Sequence, residues 1–260
     1  KPQTTRRRVL GIAQTDDYQI AFIDTPGIHE PHTRLGRAMV EQARTALADI
    51  DLVLYVADVS KRPDDIDRQI AELVRDAKAP VLLALNKMDL LKAEFVVEHV
   101  EAYQTLFGTE NSMLTTATRE QNLGKLREMI LAALPEGEAL YPDDEYTDQS
   151  TRFLVAELIR EKVLIATRQE IPHATAVHVE SWEEDEDGTL HIGAEVAVEK
   201  AGQRAILIGK GGQFIKDVGT KARAEIEALL DRHVFLELHV KVREGWRQNP
   251  RMLKDLELID

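Results

Sequence analysis

Two short, continuous apolar runs, Leu52-Val53-Leu54-Tyr55-Val56-Ala57 and Val81-Leu82-Leu83-Ala84-Leu85, constrain this chain more than any other feature. A half-exposed strand alternates apolar with polar residues, whereas an unbroken run is a strand covered on both faces, so helices must lie above and below a parallel sheet. The residues between the runs supply such a cover, because Ile66, Ile70, Leu73, Val74 and Ala77 recur at helical spacing over 66–77. Residues 8–13 and 18–24 flank the polar Gln14-Thr15-Asp16-Asp17 and read as a hairpin. A helix from 93 to 107, a strand near Ser112-Met113-Leu114 and a helix over 123–134 complete an α/β unit spanning 1–134, with a mixed, mostly parallel sheet.

Residues 135–150, with Glu136-Gly137 and Pro142-Asp143-Asp144-Glu145 and few apolar side chains, read as a linker. Beyond it, 151–260 forms a second unit. A helix over 151–167 precedes alternating strands over 174–182 and 190–198, joined by Glu183-Glu184-Asp185-Glu186-Asp187-Gly188, a solvated turn. The apolar Ala205-Ile206-Leu207, a helix over 213–231 and a strand over 234–242 follow, so the order is helix, strand, strand, helix, helix, strand.

Composition narrows the function. Thirty-three basic against 46 acidic residues give a net charge of −13, which argues against a surface coated in positive charge for non-specific nucleic-acid binding. The absence of cysteine excludes disulfides, thiolate metal sites and cysteine nucleophiles and suits a reducing, cytoplasmic setting. No apolar run reaches the ~18–20 residues of a transmembrane segment, which leaves only peripheral contact with the inner face of the cell membrane open.

Asp24-Thr25-Pro26-Gly27 follows the apolar Ile20-Ala21-Phe22-Ile23, so Asp24 falls at the carboxyl edge of the sheet, where open α/β sheets bind ligands. A carboxylate there can hold hydrated Mg2+, and the Gly27 N–H can approach a terminal phosphate because no Cβ blocks it. Taken alone, this tetrapeptide is equally an ordinary turn. Asn86-Lys87-Met88-Asp89 leaves the second apolar strand at the same edge. The Asp89 carboxylate can accept from the N1–H and exocyclic amine of guanine while the Lys87 stem packs along base and ribose; a polar turn with Asp89 capping a helix is the alternative. Thr115-Thr116-Ala117 leaves a third strand there and offers a backbone N–H to the guanine carbonyl.

In this order and context the pieces resemble the P-loop GTPases of the translation-factor-like superclass. Asp24 to Gly27 is similar to their phosphate-sensing motif, Asn86 to Asp89 to their guanine-specificity motif, and Thr116-Ala117 to a final motif that is more commonly Ser-Ala. Lys1-Pro2-Gln3-Thr4-Thr5-Arg6 resembles the first switch of the Era GTPases, in which a Thr hydroxyl coordinates Mg2+ and senses the γ-phosphate; Thr5 is favoured over Thr4. The resemblance implies GTP, GDP and Mg2+ as ligands. Thr5 and Gly27 would be catalytic and Thr5 and Asp24 would hold the metal. Asp24, Thr25, Pro26, Gly27, Ile28, Asn86, Lys87, Met88, Asp89, Thr116 and Ala117 would bind the nucleotide.

Two departures accompany this resemblance. Ile28 stands where Ras-like enzymes carry a water-orienting Gln, and neither His29 nor His32 is assigned as its substitute, so slow hydrolysis is expected. No Gly-x-x-x-x-Gly-Lys-Ser/Thr occurs: Gly124-Lys125 is followed by Leu126, and Gly209-Lys210 by Gly211. In Era GTPases that loop lies just upstream of the segment resembling residues 1–6, so the 260-residue chain as written is expected to bind GTP poorly and to be inactive.

Ile208-Gly209-Lys210-Gly211-Gly212 opens a helix after an apolar stretch. Its glycines let a sugar–phosphate backbone approach the main chain, Lys210 adds charge, and the helix amino terminus favours phosphate. The loop and the surrounding element order resemble a type II KH domain, an α+β RNA-binding fold. Residues 200–254 hold twelve basic and six acidic side chains, so this stretch is locally positive inside an acidic chain. Candidate RNA contacts are Ile208, Gly209, Lys210, Gly211, Gly212, Lys216, Lys241 and Arg243. Residues 236–246 are similar to the carboxyl-terminal end of Era, and Trp246 can pack on the core or stack on a base. The resemblance implies a GTP-hydrolysing switch that binds small-subunit (16S-type) ribosomal RNA near its 3′ end and acts in assembly of the 30S subunit. The rival reading is a non-enzymatic RNA-binding assembly factor or scaffold with a disabled GTPase domain.

Overall fold

Both apolar runs are strands of one parallel sheet in the computed structural model, which describes residues 5–27, 33–167, 171–256 and 258–259. β1 (Val9–Gln14) and β2 (Gln19–Asp24) form a two-stranded sheet of their own, turned by a hydrogen bond from the Thr15 N–H to the Tyr18 carbonyl at 2.9 Å. After α1 (Arg34–Ala46), β3 (Val53–Asp58), α2 (Asp65–Arg75), β4 (Val81–Asn86), α3 (Val96–Phe107), β5 (Ser112–Leu114) and α4 (Leu123–Ala133) alternate as expected. The three strands lie in the order β3-β4-β5, all parallel. β4 shows why its run had to be apolar throughout. Leu82 and Ala84 pack with Ile20, Leu126 and Ile130, while Leu83 and Leu85 pack with Ala57, Val59 and Tyr103. Burying each such Leu stabilises the sheet by about 1.5–3 kcal/mol. α2 starts sharply because Asp64 and Asp67 form a reciprocal cap: the Asp64 carboxylate accepts from the Ile66 N–H at 2.9 Å, and Asp67 accepts from the Asp64 N–H at 2.7 Å.

The remainder is α5 (Thr151–Ala166), α6 (Ile171–Ala174), β6 (Ala176–Glu184), β7 (Leu190–Val198), α7 (Ala201–Ile208), α8 (Gln213–Leu230), β8 (Val234–Val242) and α9 (Pro250–Asp255). β6 pairs antiparallel with β7 and β7 parallel with β8, which leaves β8 at an edge. Val155, Ile159 and Val163 of α5 and Val218, Ala222 and Ile226 of α8 bury against Ile192, Ala194 and Val196 of the sheet.

Two compact units emerge, Lys1–Gly11 with Phe22–Val40 and Tyr146–Asp260, and Ile12–Ala21 with Glu41–Glu145. On the carboxyl side this division falls within the 135–150 linker; on the amino side it differs from the boundaries read in the sequence, because two early segments group with the carboxyl-terminal unit. Their side chains explain it. The Arg6 guanidinium is buried and donates to the carbonyls of Pro172, His173 and Thr175, and Leu35 and Met39 of α1 bury against Trp246 and Leu253. Burial, with Arg160 close by, pushes the Arg6 guanidinium down to about 9, so it remains charged at neutral pH and needs those acceptors. The sequence reading assigned no helix to 34–46, where the buried stripe is thin. The 135–150 stretch is irregular, as expected, yet it is tied down at intervals: Gln19 Oε1 accepts from the Leu140 and Tyr141 N–H groups, and the Thr147 hydroxyl donates to the Leu10 carbonyl at 2.6 Å.

Candidate nucleotide and nucleic-acid interfaces

Three strand ends meet at one edge of the β3-β4-β5 sheet. Asn86 ends β4, Lys87 turns the chain with a φ of 62°, and Met88, Asp89 and Leu90 form one 3₁₀ turn. Thr116 and Ala117 follow β5, held by paired backbone hydrogen bonds between Thr116 and Gln121. The Asn86 Oδ1 accepts from the Ala117 N–H at 2.9 Å and locks the two loops together. The sequence reading offered a backbone N–H of residues 115–117 to the guanine carbonyl, and all three of these N–H groups have partners inside the protein. Lys87 Nζ reaches the Asp58 carboxylate at 2.5 Å, while the Ser60 hydroxyl and N–H donate to the other Asp58 oxygen. Partial burial pushes the Asp58 carboxyl up, but the hydrogen bonds from Lys87 and Ser60 outweigh it and hold the group below the usual carboxylate range. The Asp89 carboxylate, 17% exposed, lies 3.5 Å from an Arg119 guanidinium nitrogen. A guanidinium presents N–H donors much as the N1–H and amine edge of guanine does, so this carboxylate already faces a planar donor group.

In the other unit, Asp24 ends β2, and the Thr5 hydroxyl donates to its carboxylate at 2.7 Å. One hydroxyl and one carboxylate at this separation are hard oxygen donors of the type Mg2+ takes. Thr25, Pro26 and Gly27 continue from the strand without regular structure, and Gly27 is exposed. Ile28, together with Thr4, His29 and His32, lies outside the described residues.

The glycine loop joins α7 to α8. Gly209 ends α7 with a φ of 71°, and a Cβ there would meet the Phe214 Cβ at 2.7 Å. Gly211 and Gly212 also have positive φ but face open space, so their main chain is accessible from outside. Gly212 caps the amino terminus of the eighteen-residue α8, whose unsatisfied N–H groups attract anions. Lys210 and Lys216 are exposed and make no ion pair among the described residues. α7, α8 and the edge strand β8 pack through Leu207, Val218 and Leu238, which gives the loop a firm base. Ile208 is half-buried beneath it.

The pattern of the family described as KH domain matches residues 170–247, and that described as 50S ribosome-binding GTPase matches residues 1–87. The GTPase Era of Heliobacterium modesticaldum is 45% identical over 254 residues, covering 98% of this chain and 85% of that protein. The chain belongs to the Era family of GTPases. The GTPase Era of Geobacter metallireducens is 44% identical over 257 residues, with 98% of this chain and 86% of that protein covered. A crystal structure of Era in complex with MgGDPNP and nucleotides 1506–1542 of 16S ribosomal RNA matches with a TM-score of 0.95 at 35% identity, over 100% of this chain and 89% of that one. An Aquifex aeolicus Era variant bound to GDP·AlF4− matches with a TM-score of 0.94 at 35% identity, over the same shares.

Within this Era-family fold two of the candidate RNA contacts already have partners inside the protein. Lys241 pairs with Glu180 at 2.6 Å and Glu195 at 3.1 Å, and Arg243 holds Glu195 through two hydrogen bonds of 2.8 and 2.7 Å. Both cations thus already face a buried carboxylate of β7. Burial pushes the Glu195 carboxyl up, but Arg243 and Lys241 hold it below the usual range. The folded chain therefore binds that proton less tightly than the unfolded one, and the stabilisation is complete above about pH 4.5 and fades as the pH falls below it. Glu195→Gln is expected to cost about 1–3 kcal/mol at neutral pH and to flatten this acid dependence. Both tryptophans, Trp182 and Trp246, lie in this unit, so fluorescence-detected unfolding reads it directly. Trp246 itself packs on the core: it is fully buried and donates Nε1–H to the Ala174 carbonyl at 3.1 Å.

Two residues beside these candidate sites were not singled out by the sequence reading. Asp58 had a usable signal, since it ends an apolar strand at the same edge as Asn86. Ile206, 56% exposed just before the glycine loop, offers apolar surface for a base, but in sequence it is one of several neighbouring apolar residues.

Proposed function

We propose that this protein is a GTP-hydrolysing switch whose KH unit binds single-stranded RNA at the 3′ end of 16S ribosomal RNA, and that it works in the cytoplasm on assembly of the 30S subunit. The observation that carries the reading is that one chain presents both a carboxylate in the turn after a strand end and an open glycine loop with exposed lysines, in a fold matching Era in complex with 16S RNA. A scaffold without nucleotide chemistry would have no use for the Asn86, Lys87 and Asp89 arrangement.

In this reading Asp89 accepts from the base edge, Asn86 holds the two base-binding loops together, and Asp58 fixes the Lys87 ammonium so that its stem lies along the ribose. Thr5 and Asp24 would hold Mg2+, which when bound neutralises charge on the phosphate oxygens. The Gly27 N–H would hydrogen-bond the terminal phosphate. Water attacks the γ-phosphorus, the bond to the bridging oxygen breaks, and GDP and phosphate leave. Ile28 has no side-chain atom that can orient this water, so turnover is slow unless another group completes the site.

The test is direct. Full-length protein is titrated into labelled RNA of the 16S 3′-terminal segment and a scrambled control, with GTP, GDP or ATP present, and phosphate release is followed in parallel. Preference for the 3′ segment and hydrolysis of GTP but not ATP support the reading. Equal affinity for both RNAs, or hydrolysis indifferent to the base, overturns it.

A further inference from the structure

Every carbonyl from residue 171 to residue 175 is satisfied in one place, and most of the donors come from outside the KH sequence. The Thr175 hydroxyl donates to the Ile171 carbonyl at 2.8 Å and Trp246 Nε1–H to the Ala174 carbonyl at 3.1 Å. The remaining three belong to Arg6. Its Nη1 donates to the Thr175 carbonyl at 2.6 Å, and its Nη2 to those of Pro172 and His173 at 2.9 and 3.2 Å. The carboxyl end of a helix is where unpaired carbonyls converge and where a cation is favoured. The guanidinium carbon also sits 5.7 Å from the Trp246 ring centroid, a cation–π distance. The residue immediately before Arg6 is Thr5, whose hydroxyl meets Asp24.

We propose that Arg6 is a positioning residue that couples Thr5 to the RNA-binding fold, seated on α6 when Thr5 is held at Asp24 and withdrawn when Thr5 is released. The proposal rests on the reading of Thr5 and Asp24 as part of the GTP switch. Its physical basis is the short tether. Adjacent Cα atoms are about 3.8 Å apart, so Thr5 cannot travel far from Asp24 while the guanidinium stays in place. Unseating Arg6 takes a charged donor away from three carbonyls at a buried helix end, and α6 runs directly into β6 through Thr175. The position of one hydroxyl is thereby linked to the order of the first strand of the KH sheet. Linkage is reciprocal, so RNA that favours the ordered sheet raises affinity for the nucleotide state that holds Thr5 by the same factor.

The experiment measures RNA affinity of the full-length protein with GDP and with GMPPNP, for wild type, Arg6→Ala and Arg6→Lys. The wild type is expected to show a ratio of affinities of about tenfold. In Arg6→Ala the ratio falls to within about twofold of one, while GMPPNP still binds. Arg6→Lys, which keeps the charge but loses the fork, is expected to give an intermediate ratio. A wild-type ratio of one would defeat the switch reading on which the proposal rests. A wild-type ratio kept in full by Arg6→Ala would overturn the role of Arg6 and leave the switch intact. Hydrogen exchange on the unmodified protein decides the matter if Arg6→Ala does not fold. Amides of 174–178 are expected to be better protected with GMPPNP than with GDP, and equal protection overturns the proposal.

Discussion

Replacing Gly211 and Gly212 together by Asp is expected to weaken binding of the 16S 3′-terminal RNA by roughly 100-fold, equivalent to about 2.7 kcal/mol, with nucleotide binding unchanged. Three effects add in the same direction. The two new side chains occupy the space through which a sugar–phosphate backbone reaches the main chain, since nothing within 4 Å fills it now. Two carboxylates then face phosphate at a helix amino terminus that otherwise attracts it. The two carboxylates also cancel the positive charge of Lys210 and Lys216 beside the loop. The substitution is expected to spare folding. Asp tolerates the left-handed region better than most residues, and neither new Cβ meets a neighbour. Gly209 would be a poor choice for the same test, because its Cβ would collide with Phe214 and any loss of binding would reflect a damaged core. Fluorescence anisotropy with labelled RNA at fixed salt measures the effect, and a loss below about threefold would place the RNA elsewhere.

How much of this was legible in advance depends on whether a residue acts through a local pattern or through distant partners. The unbroken apolar runs announced a sheet covered on both faces, and Leu82 to Leu85 do alternate between two cores. The glycine loop was legible because its function needs backbone shape, and shape is written in glycine. The ion pairs of Lys241 and Arg243 were illegible because charge counting along a sequence cannot see Glu195, which lies on the neighbouring strand at 1% exposure. The grouping of residues 1–11 with the carboxyl-terminal unit was illegible for a related reason. A lone Arg at position 6 carries no sign of three carbonyls more than 160 residues away. The place of Asn86 at a strand end was legible, yet its bond to Ala117 required the ends of two strands to be placed side by side.

Asp89→Asn is expected to invert base preference in the full-length protein, weakening GTP roughly 100- to 1,000-fold and improving XTP. Two hydrogen bonds from guanine to a carboxylate contribute about 1.5–3 kcal/mol each, and the amide loses more than their charge. An Asn NH2 turned toward the base meets the guanine N1–H and amine donor to donor. Turned away, its single oxygen cannot accept from both with equal geometry. XTP carries an oxygen in place of the amine and so restores a complementary pair. The fold around the position should tolerate the change, since Asn is nearly isosteric with Asp and the carboxylate's ion-pair partner, Arg119, is 68% exposed and held at 3.5 Å. A pair that open to solvent stabilises little. Asn86 and Lys87 keep their own partners, Ala117 and Asp58, and neither contact depends on Asp89. The loss should therefore appear in discrimination between bases and not in the affinity for the triphosphate as such. Competition of GTP and XTP against a fluorescent guanine nucleotide reads the ratio directly. An unchanged ratio would move base recognition away from Asp89, whereas an equal loss for both nucleotides would mean that Asp89 supports the loop without reading the base.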